Sequence, residues 1–473
     1  MDFVGGRTQG EYVERTRDQD PARCLVAAVD VGKSAALALL ADHHGALVGA
    51  PVEFALTEPG VARLEAALAA ARAARDAVSL RVGVETAGHY HRTLVARLVS
   101  GAHDVVELNP AHVKAARATL GSRRLKSDLR DAAAMVELLV RGAGRRPQIR
   151  DAAMAAQSAW VAHRRRKIAA RTALGNQLLG TLDLVFPGLD GCFGDLLGAR
   201  AGRLMVAQLA DPDRMRRLGV DGLRRFCHRR GVALRRPKAA QLIGAAQAAL
   251  RLPAGEHAVR LAMLASEVAL LAALEADIAA AEAELASVLP DTPAGVLSSL
   301  PGVAVIRASA YGAALGDPAR YPDAAAAYRA SGLVPAAYES AGRARGRQAI
   351  SREGSVELRR AILELGRGLG RSEPDFVRYR RELTARGKPA GVVAIAVAHR
   401  AHRLAFALIR TEQSYDAGRW ATSVATKGER KERQAGGPVR TTRRQAASRD
   451  DVTRPPGSTV PAAARPDNLA VPV

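Results

Sequence analysis

The stretch CLVAAVDVGKSAALALLADHHGALVGAPVEF, residues 24–54, decides the fold of the first third of the chain. Its three short apolar runs are separated by Gly and His-Gly, which predicts three strands joined by hairpins. Residues 59–78 follow with an amphipathic pattern and Pro59 at the start, which predicts a helix. Further along the chain, LRVGVE and DVVELNP predict a fourth and a fifth strand. Helices are predicted over 91–99, 111–119 and 127–140.

The order of three hairpin-linked strands followed by crossover units is that of an RNase H-like α/β domain. In such a sheet the first and fourth strands are neighbours. Asp30 ends the first predicted strand and Glu85 ends the fourth, while Asp128 and Asp131 open a helix at i and i+3. We therefore expect all four carboxylates to meet at one cleft beside that helix.

Four clustered carboxylates point to metal-assisted chemistry. They repel one another unless a cation lies between them, and hard oxygen ligands select Mg²⁺ or Mn²⁺. Two such ions about 4 Å apart would activate a nucleophile and stabilise the leaving oxygen in phosphoryl transfer. Taken singly, a strand-end Asp is often a turn residue, and an Asp pair opening a helix can simply favour the helix dipole.

The segment VDVGKS, residues 29–34, allows a rival interpretation. It resembles the phosphate loop of actin-like sugar kinases, which share this sheet, and superficially a Walker A loop. A Walker A loop requires Gly where this chain has Ala27. The kinase would need a second phosphate loop and an adenosine site, and neither is visible in the right order.

Composition predicts a polyanionic partner. The 473 residues carry 70 Lys and Arg against 47 Asp and Glu, a net charge of +23, and this surplus favours nucleic acid over an acidic membrane. A high-GC genome would explain the excess of Arg over Lys but not the net charge. Cys24, Cys192 and Cys227 form no CxxC pair, so neither a zinc site nor a disulfide framework is predicted, and a reducing cytoplasm fits. No apolar run predicts a membrane span.

The remaining regions differ in character. Residues 1–22 are expected to be a disordered leader without an apolar signal core, and residues 411–473 a disordered basic tail. Residues 149–290 are helical, and a seven-residue repeat predicts a coiled-coil seam whose partner helix lies in this chain or in another. A mostly helical domain follows at 291–410. The repeat consists of two tracks, Leu264, Leu271, Ile278 and Leu285, with Leu274, Ala281 and Val288 three residues later.

The motifs resemble those of the insertion-sequence-110 family of DEDD transposases. The similar segments are VAAVDVGKS, VGVETAGHYHRTL and the stretch ending in KSDLRDA, followed by the basic helix RRRKIAARTALGNQLL. A second set begins at SLPGVAVIRASAYGAAL and runs to the closing helices. The resemblance covers roughly residues 24–188 and 290–410. Residues 190–258 and the tail have no counterpart, and Cys227–Leu242 could be an extra basic nucleic-acid contact or a solvated helical insertion.

The resemblance implies an N-terminal RuvC-like domain in which Asp30, Glu85, Asp128 and Asp131 are catalytic and hold Mg²⁺, with Mn²⁺ as the alternative. It also implies that Ser340, in the C-terminal serine domain, is the nucleophile that forms a phosphoserine link to DNA. Ser351 and Ser331 are lesser candidates. The expected nucleic-acid contacts are Arg164, Arg165, Arg166 and Lys167 in the basic helix, and Arg343, Arg345, Arg347 and Arg352 around the serine.

The function expected from this resemblance is transposition, the cleavage and transfer of DNA at element ends and target. It further implies an element-encoded guide RNA, a homo-oligomer in which one protomer's serine completes another's acid site, and a bacterial, nucleoid-associated location. Composition and spacing show none of these three. A Holliday-junction resolvase or DNA invertase would use the same acids, and a non-catalytic nucleic-acid-binding protein would need only the charge.

Overall fold

The first part of the chain folds around a mixed five-stranded sheet. The computed structural model describes residues 6–86, 88–119, 128–148, 150–336, 339–340, 343–344 and 349–418, and residues up to Tyr415 form one unit. The strands are β1 (Cys24–Val31), β2 (Ala35–Asp42), β3 (Val52–Ala55), β4 (Ser79–Glu85) and β5 (Asp104–Leu108). The helices of this part are α1 (Gly6–Thr16), α2 (Glu58–Ala74), α3 (His91–Ser100), α4 (Pro110–Thr119) and α5 (Asp128–Val140).

The sheet has the order β3-β2-β1-β4-β5. β2 is antiparallel to β1 and β3, whereas β4 is parallel to both β1 and β5. This order is compatible with an RNase H-like fold, and the prediction that the first and fourth strands are neighbours is confirmed. The predicted helices of this part agree with α2 to α5 to within a few residues at their ends.

Alternation along the strands divides the core between the two faces of the sheet. Leu25, Ala27 and Val29 of β1 pack on the side of α2 and α3. Val26 and Ala28 of β1 pack on the other side against α5. A Cβ at Gly83 in β4 would come within 3 Å of Leu139 on α5. Because Gly83 has no side chain, α5 lies close to the sheet. This close packing sets the distance between the sheet and the carboxylates in the first turn of α5.

The leader was expected to be disordered, and for residues 6–16 that expectation is wrong. α1 buries Tyr12, whose hydroxyl lies 2.7 Å from His43 Nε2. The Tyr12 ring also lies 3.5 Å from the guanidinium of Arg81, a β4 residue that is 2% exposed and pairs with Asp104 at 3.1 Å. A buried cation requires such partners. The helix therefore forms because it covers Arg81, which a local reading of the leader could not reveal.

Two long helices form an antiparallel pair in the middle of the chain. They are α6 (Ala152–Val185) and α10 (Ala254–Val288). On α10, four residues of the predicted heptad tracks are buried: Leu264, Ile278, Ala281 and Leu285. Two ion pairs show that the helices are antiparallel, because Arg164 of α6 pairs with Glu282 of α10, whereas the later Lys167 pairs with the earlier Asp277. The partner helix of the seam thus lies in the same chain, while supercoiling of the pair stays a prediction.

A small helical insertion connects α6 to α10. It comprises α7 (Arg200–Gln208), α8 (Pro212–His228) and α9 (Arg236–Ala248). α8 is kinked at Gly219, where φ is +62°. Met215, Leu223 and Leu242 belong to a core that this insertion shares with the adjoining ends of the long helices. The insertion is therefore a folded part of the chain.

The C-terminal part is mostly helical. After a short 3-10 segment, Pro293–Ser299, its elements are α11 (Val305–Leu315), α12 (Ala324–Ala330), β6 (Glu339–Ser340), β7 (Arg343–Ala344), α13 (Val356–Ser372), α14 (Pro374–Ala385) and α15 (Ala390–Thr411). β6 and β7 form a two-residue antiparallel hairpin. Most of the predicted basic tail, residues 419–473, lies outside the described residues.

One described helix, α15, is long and apolar enough by length and composition to cross a membrane. Half of its most apolar window is buried within the protein. Core helices of water-soluble domains pass the same test, and α15 packs on α12, α13 and α14. Its apolar character is accounted for by this packing.

The centre of the C-terminal part holds a buried histidine. His402 is 0% exposed, and its Nε2–H donates to the Ala324 carbonyl at 2.8 Å. Its Nδ1 therefore accepts from the Tyr311 hydroxyl at 2.9 Å. Burial lowers the pKa of His402 from 6.5 to about 4.

We expect acid to destabilise the protein through His402. The unfolded imidazole binds a proton below about pH 6.5, whereas the folded one resists protonation until its lowered pKa near 4. The stability contributed by neutral His402 is thus present above pH 6.5 and lost as the pH falls through that window, by about 2 kcal/mol at pH 5. Urea unfolding at pH 7 and pH 5 should show a smaller loss for His402→Gln than for wild type. Equal losses in the two proteins would contradict this assignment.

Candidate active site

The carboxyl ends of β1 and β4 bring the first two candidate acids together. Val29 pairs with Val84 across these parallel strands, so Asp30 and Glu85 follow at the same level of the sheet. Alternation places both on the α5 side, because Ala28 and Gly83, two residues before them, face α5. Both side chains are half-buried. The predicted adjacency of the first and fourth strands, together with the register that the structure shows, makes these two acids neighbours.

The first turn of α5 supplies the other two acids. Asp128 is exposed, and Asp131, one turn later, is 5% exposed. Ala132, Met135 and Leu139 hold α5 against the sheet. All four predicted acids line one open cleft of about 840 Å³. The four acids thus line the same cleft, while their approach to a single point stays a prediction.

A cation from α4 already lies among these carboxylates. Arg117 Nη1 donates to Asp131 Oδ1 at 2.5 Å, and the two side chains are 23% and 8% exposed. Lys114, one turn earlier on α4, lines the same cleft. The two basic side chains offset part of the acidic charge and can contact a phosphate that enters the cleft.

The cleft has the donor chemistry of a divalent-cation site, because carboxylate oxygens are the ligands that Mg²⁺ prefers. Among the residues described, no three His, Cys, Asp or Glu side chains lie close enough together to hold one ion. Asp131 is engaged by Arg117. The residue types therefore fit a divalent cation, and binding one requires the carboxylates to close on it and Asp131 to exchange its partner.

Three charged residues of the cleft were not predicted from the sequence. Glu53 lies on β3 and pairs in register with Leu37 of β2, and both line the cleft wall. The alternation in Val52–Ala55 carried the signal, because Glu53 occupies the position opposite to buried Phe54. Lys114 and Arg117 were visible as a basic i, i+3 pair, but nothing local placed that pair beside Asp131.

The predicted nucleophile lies at the C-terminal hairpin. The backbone of Ser340 pairs with Arg343 between β6 and β7. The side chains of both residues, and the whole of Arg345 and Arg347, lie outside the described residues. Arg352 is exposed and adopts a left-handed backbone with φ +58°. A role for these arginines in nucleic-acid binding stays a prediction.

The two lesser serine candidates are better defined. Ser331 is 0% exposed and its hydroxyl donates to the Tyr328 carbonyl at 2.6 Å. Ser351 is half-buried and donates to the Gly332 carbonyl at 3.4 Å. Both hydroxyls stabilise the loop that precedes α13. These contacts favour a structural role for Ser331 and Ser351.

The basic run on α6 is largely engaged within the protein. Arg164 pairs with Glu282 of α10 at 2.6 Å and Lys167 with Asp277 at 2.5 Å. Arg165 pairs with Glu357 of α13 at 2.7 Å. Arg166 is exposed, and no acidic partner is found for it among the described residues. Three of the four nucleic-acid contacts predicted on α6 thus pair with acidic residues of other helices. Their role in nucleic-acid binding stays a prediction.

Comparison with known protein families gives two matches in chain order. The family model for DEDD transposases of the IS110 group, described as a transposase, matches residues 27–187. A second model, described as the transposase IS116/IS110/IS902 family, matches residues 294–379. Together they span just over half of the chain. No curated protein matches it.

The first match contains all four acids of the cleft and the sheet from Ala27 of β1 onward, and the second contains the hairpin that carries Ser340. Transposases cut and transfer DNA, so the matches place the chain in an activity class that requires DNA binding. DEDD transposases typically use a divalent metal ion. Two separate models in the right order, with the acidic cleft inside the first, show that this chain belongs to the IS110 family of DEDD transposases.

Proposed function

We propose that this transposase cleaves and transfers DNA strands at the cleft formed by Asp30, Glu85, Asp128 and Asp131, with Mg²⁺ as the metal and Mn²⁺ as an alternative. The observation that carries the proposal is that all four carboxylates line one open cleft. A divalent ion bound there supplies charge stabilisation to the scissile phosphate. Carboxylates that line the same cleft repel one another unless a cation offsets their charge.

Each residue of the cleft has a separate task in this proposal. The half-buried Asp30 and Glu85 are fixed by the sheet and form the rigid side of the site. Asp128 and Asp131 approach from the helix, so small shifts of α5 adjust their distance from the sheet. Lys114 and Arg117 line the cleft on the α4 side, where they can orient the phosphate backbone.

Ser340 is the proposed nucleophile. Its hydroxyl oxygen forms a bond to phosphorus, the hydroxyl proton passes to a base, and one sugar oxygen leaves the phosphorus with the strand end. The result is a serine–DNA phosphodiester that a second strand can attack. A serine hydroxyl needs activation to react in this way. The support is the position of Ser340 in the second matched region together with the buried, bonded state of Ser331.

Family resemblance extends the proposal to partners. DNA at the element ends and target is the substrate, an element-encoded RNA guides its selection, and a homo-oligomer brings the serine of one protomer to the acids of another. The net charge of +23 suits both nucleic acids. We place the protein in the bacterial cytoplasm, at the nucleoid.

Formation of excised circles in cells tests the proposal. Cells carrying the gene with its native flanking DNA should give circle junctions by PCR with wild type and none with Glu85→Gln, which keeps size but removes a cleft carboxylate. Glu137→Gln is the matched control, since Glu137 lies on α5 outside the cleft and its one ion pair among the described residues is a surface contact with Arg141. Circles from folded, expressed Glu85→Gln would refute the acid site, and their absence from wild type with its RNA supplied would refute the transposition activity of this chain.

A further inference from the structure

The helical insertion between α6 and α10 carries a concentration of positive charge that the acidic cleft does not use. Residues 200–251 contain 13 Lys and Arg against three Asp and no Glu. This segment lies between the two family matches, which end at residue 187 and resume at residue 294. Its excess of ten positive charges is a large share of the chain's +23. The charge therefore belongs to a part of the molecule added to the matched regions.

The few acids of the insertion are already shared between arginines. Asp213 pairs with both Arg216 and Arg251. Asp221 lies 3.6 Å from Arg224 of α8 and 3.6 Å from Arg236 at the start of α9. Asp221 thus lies at the junction of α8 and α9, which pack against each other. The arginines at this junction outnumber the acids available to pair with them.

Three arginines next to that junction have no such partner. Arg225, Arg229 and Arg235 are exposed, and within the described residues none of them makes an ion pair. Arg225 and Arg229 are one turn apart at the end of α8, and Arg235 directly precedes α9. We name these three residues, with Arg224 and Arg236, the α8–α9 basic patch. Unneutralised guanidinium groups on a folded support are suited to phosphates.

The aromatic side chains of the insertion are not free for base stacking. Arg230 lies 3.7 Å from the ring centroid of Phe226, and Lys238 lies 4.5 Å from that of Phe193. Binding of single strands usually relies on exposed aromatic rings. Leu250, shortly after α9, is the one large apolar side chain of residues 200–251 that is exposed, and a membrane-binding helix needs a whole exposed apolar face. Both observations favour the backbone of a nucleic-acid duplex.

We propose that the α8–α9 basic patch binds the phosphate backbone of duplex DNA outside the acidic cleft, without reading its sequence. The inference adds a second DNA contact to the proposed function and rests on DNA as the substrate. Because the core of the insertion includes residues of α6 and α10, the patch is anchored to the long helix pair. Such a contact would hold DNA that extends away from the point of cleavage.

Salt-dependent binding of the full chain to a labelled random-sequence DNA duplex, in EDTA, tests the patch. The triple variant Arg225→Gln, Arg229→Gln, Arg235→Gln should lower the slope of log affinity against log salt by roughly 2–3 and weaken binding roughly tenfold or more. The matched control removes three exposed arginines, two on α2 and one directly after it, by Arg63→Gln, Arg72→Gln, Arg75→Gln. Circular dichroism confirms that both variants fold.

The possible outcomes are distinguishable. If the patch variant loses as much affinity for an RNA duplex as for the DNA duplex, the patch recognises the phosphate backbone. The proposal is overturned if the two triple variants bind DNA alike, or if the patch variant loses binding only to single-stranded RNA or to anionic lipid vesicles. Failure of Glu85→Gln to affect circle formation would refute the acid site and leave this binding result standing, because the binding measurement needs neither metal nor cleavage.

Discussion

Ser340→Ala is expected to abolish the covalent protein–DNA product completely. The alanine methyl group has no oxygen to bond to phosphorus, so no residual covalent product can come from this position. Purified full-length protein, its guide RNA and labelled element-end DNA are incubated with Mg²⁺ and separated under denaturing conditions. Wild type should retain label on the protein band, and Ser340→Ala should retain none while still binding the DNA.

Ser351→Ala provides the matched control for that experiment. It removes a hydroxyl from the same loop region, at the cost of a long 3.4 Å hydrogen bond to Gly332. The covalent product should persist in this variant. If instead Ser351→Ala loses the product and Ser340→Ala keeps it, the nucleophile is Ser351. If wild type and both variants cleave DNA and none of the three forms a covalent product, water is the attacking group.

Arg117→Met is expected to destabilise the protein in EDTA by about 2 kcal/mol, because it strips the counter-charge from a largely buried carboxylate. The side chain of Asp131 is 8% exposed, and Arg117 contacts it at 2.5 Å. The open side of the cleft keeps the effect below that of a fully enclosed pair. Urea unfolding in EDTA measures this loss. Arg141→Met, which breaks the exposed pair with Glu137, should cost at most about 1 kcal/mol.

Addition of Mg²⁺ should return stability to Arg117→Met, because a cation bound by the cleft carboxylates replaces the lost arginine. Saturation to about a hundred times the dissociation constant corresponds to about 2.7 kcal/mol. The double variant Arg117→Met, Asp131→Asn should be stable in EDTA and respond less to Mg²⁺, since Asn needs no counter-charge. An unchanged stability of the single variant, or an Mg²⁺ response that survives Asp131→Asn in full, would show that this pair does not control ion binding.

The pair between Arg117 and Asp131 has a consequence for how the site could be regulated by its substrate. A phosphate that enters beside Lys114 competes with Asp131 for Arg117, since both are anions of similar hydrogen-bonding geometry. Once Arg117 releases it, the carboxylate of Asp131 would be available to bind the ion. Under this account, ion binding and DNA binding strengthen each other, and the Mg²⁺ affinity of wild type should rise when DNA is present.

Much of the catalytic part follows from the sequence alone. The short apolar runs of residues 24–54 predict three strands, and the turn residues between them leave few other pairings. Once β1 and β4 are adjacent, Asp30 and Glu85 must lie at one edge, because parallel strands end on the same side. The i, i+3 spacing of Asp128 and Asp131 is likewise a local property of a helix. These features depend on periodicity, and periodicity can be read from a sequence.

The tertiary structure decided what no local pattern contains. Arg117 meets Asp131 across a segment of chain between α4 and α5, and Glu53 enters the cleft only through the register of β3. Tyr12 orders the leader because it covers Arg81, some 70 positions away in the sequence. The heptad tracks predicted a seam but left its partner open, and ion pairs such as Arg164–Glu282 join α10 to α6 of the same chain. Each of these contacts gains its free energy from burial or charge pairing between distant residues, which exists only after the chain has folded.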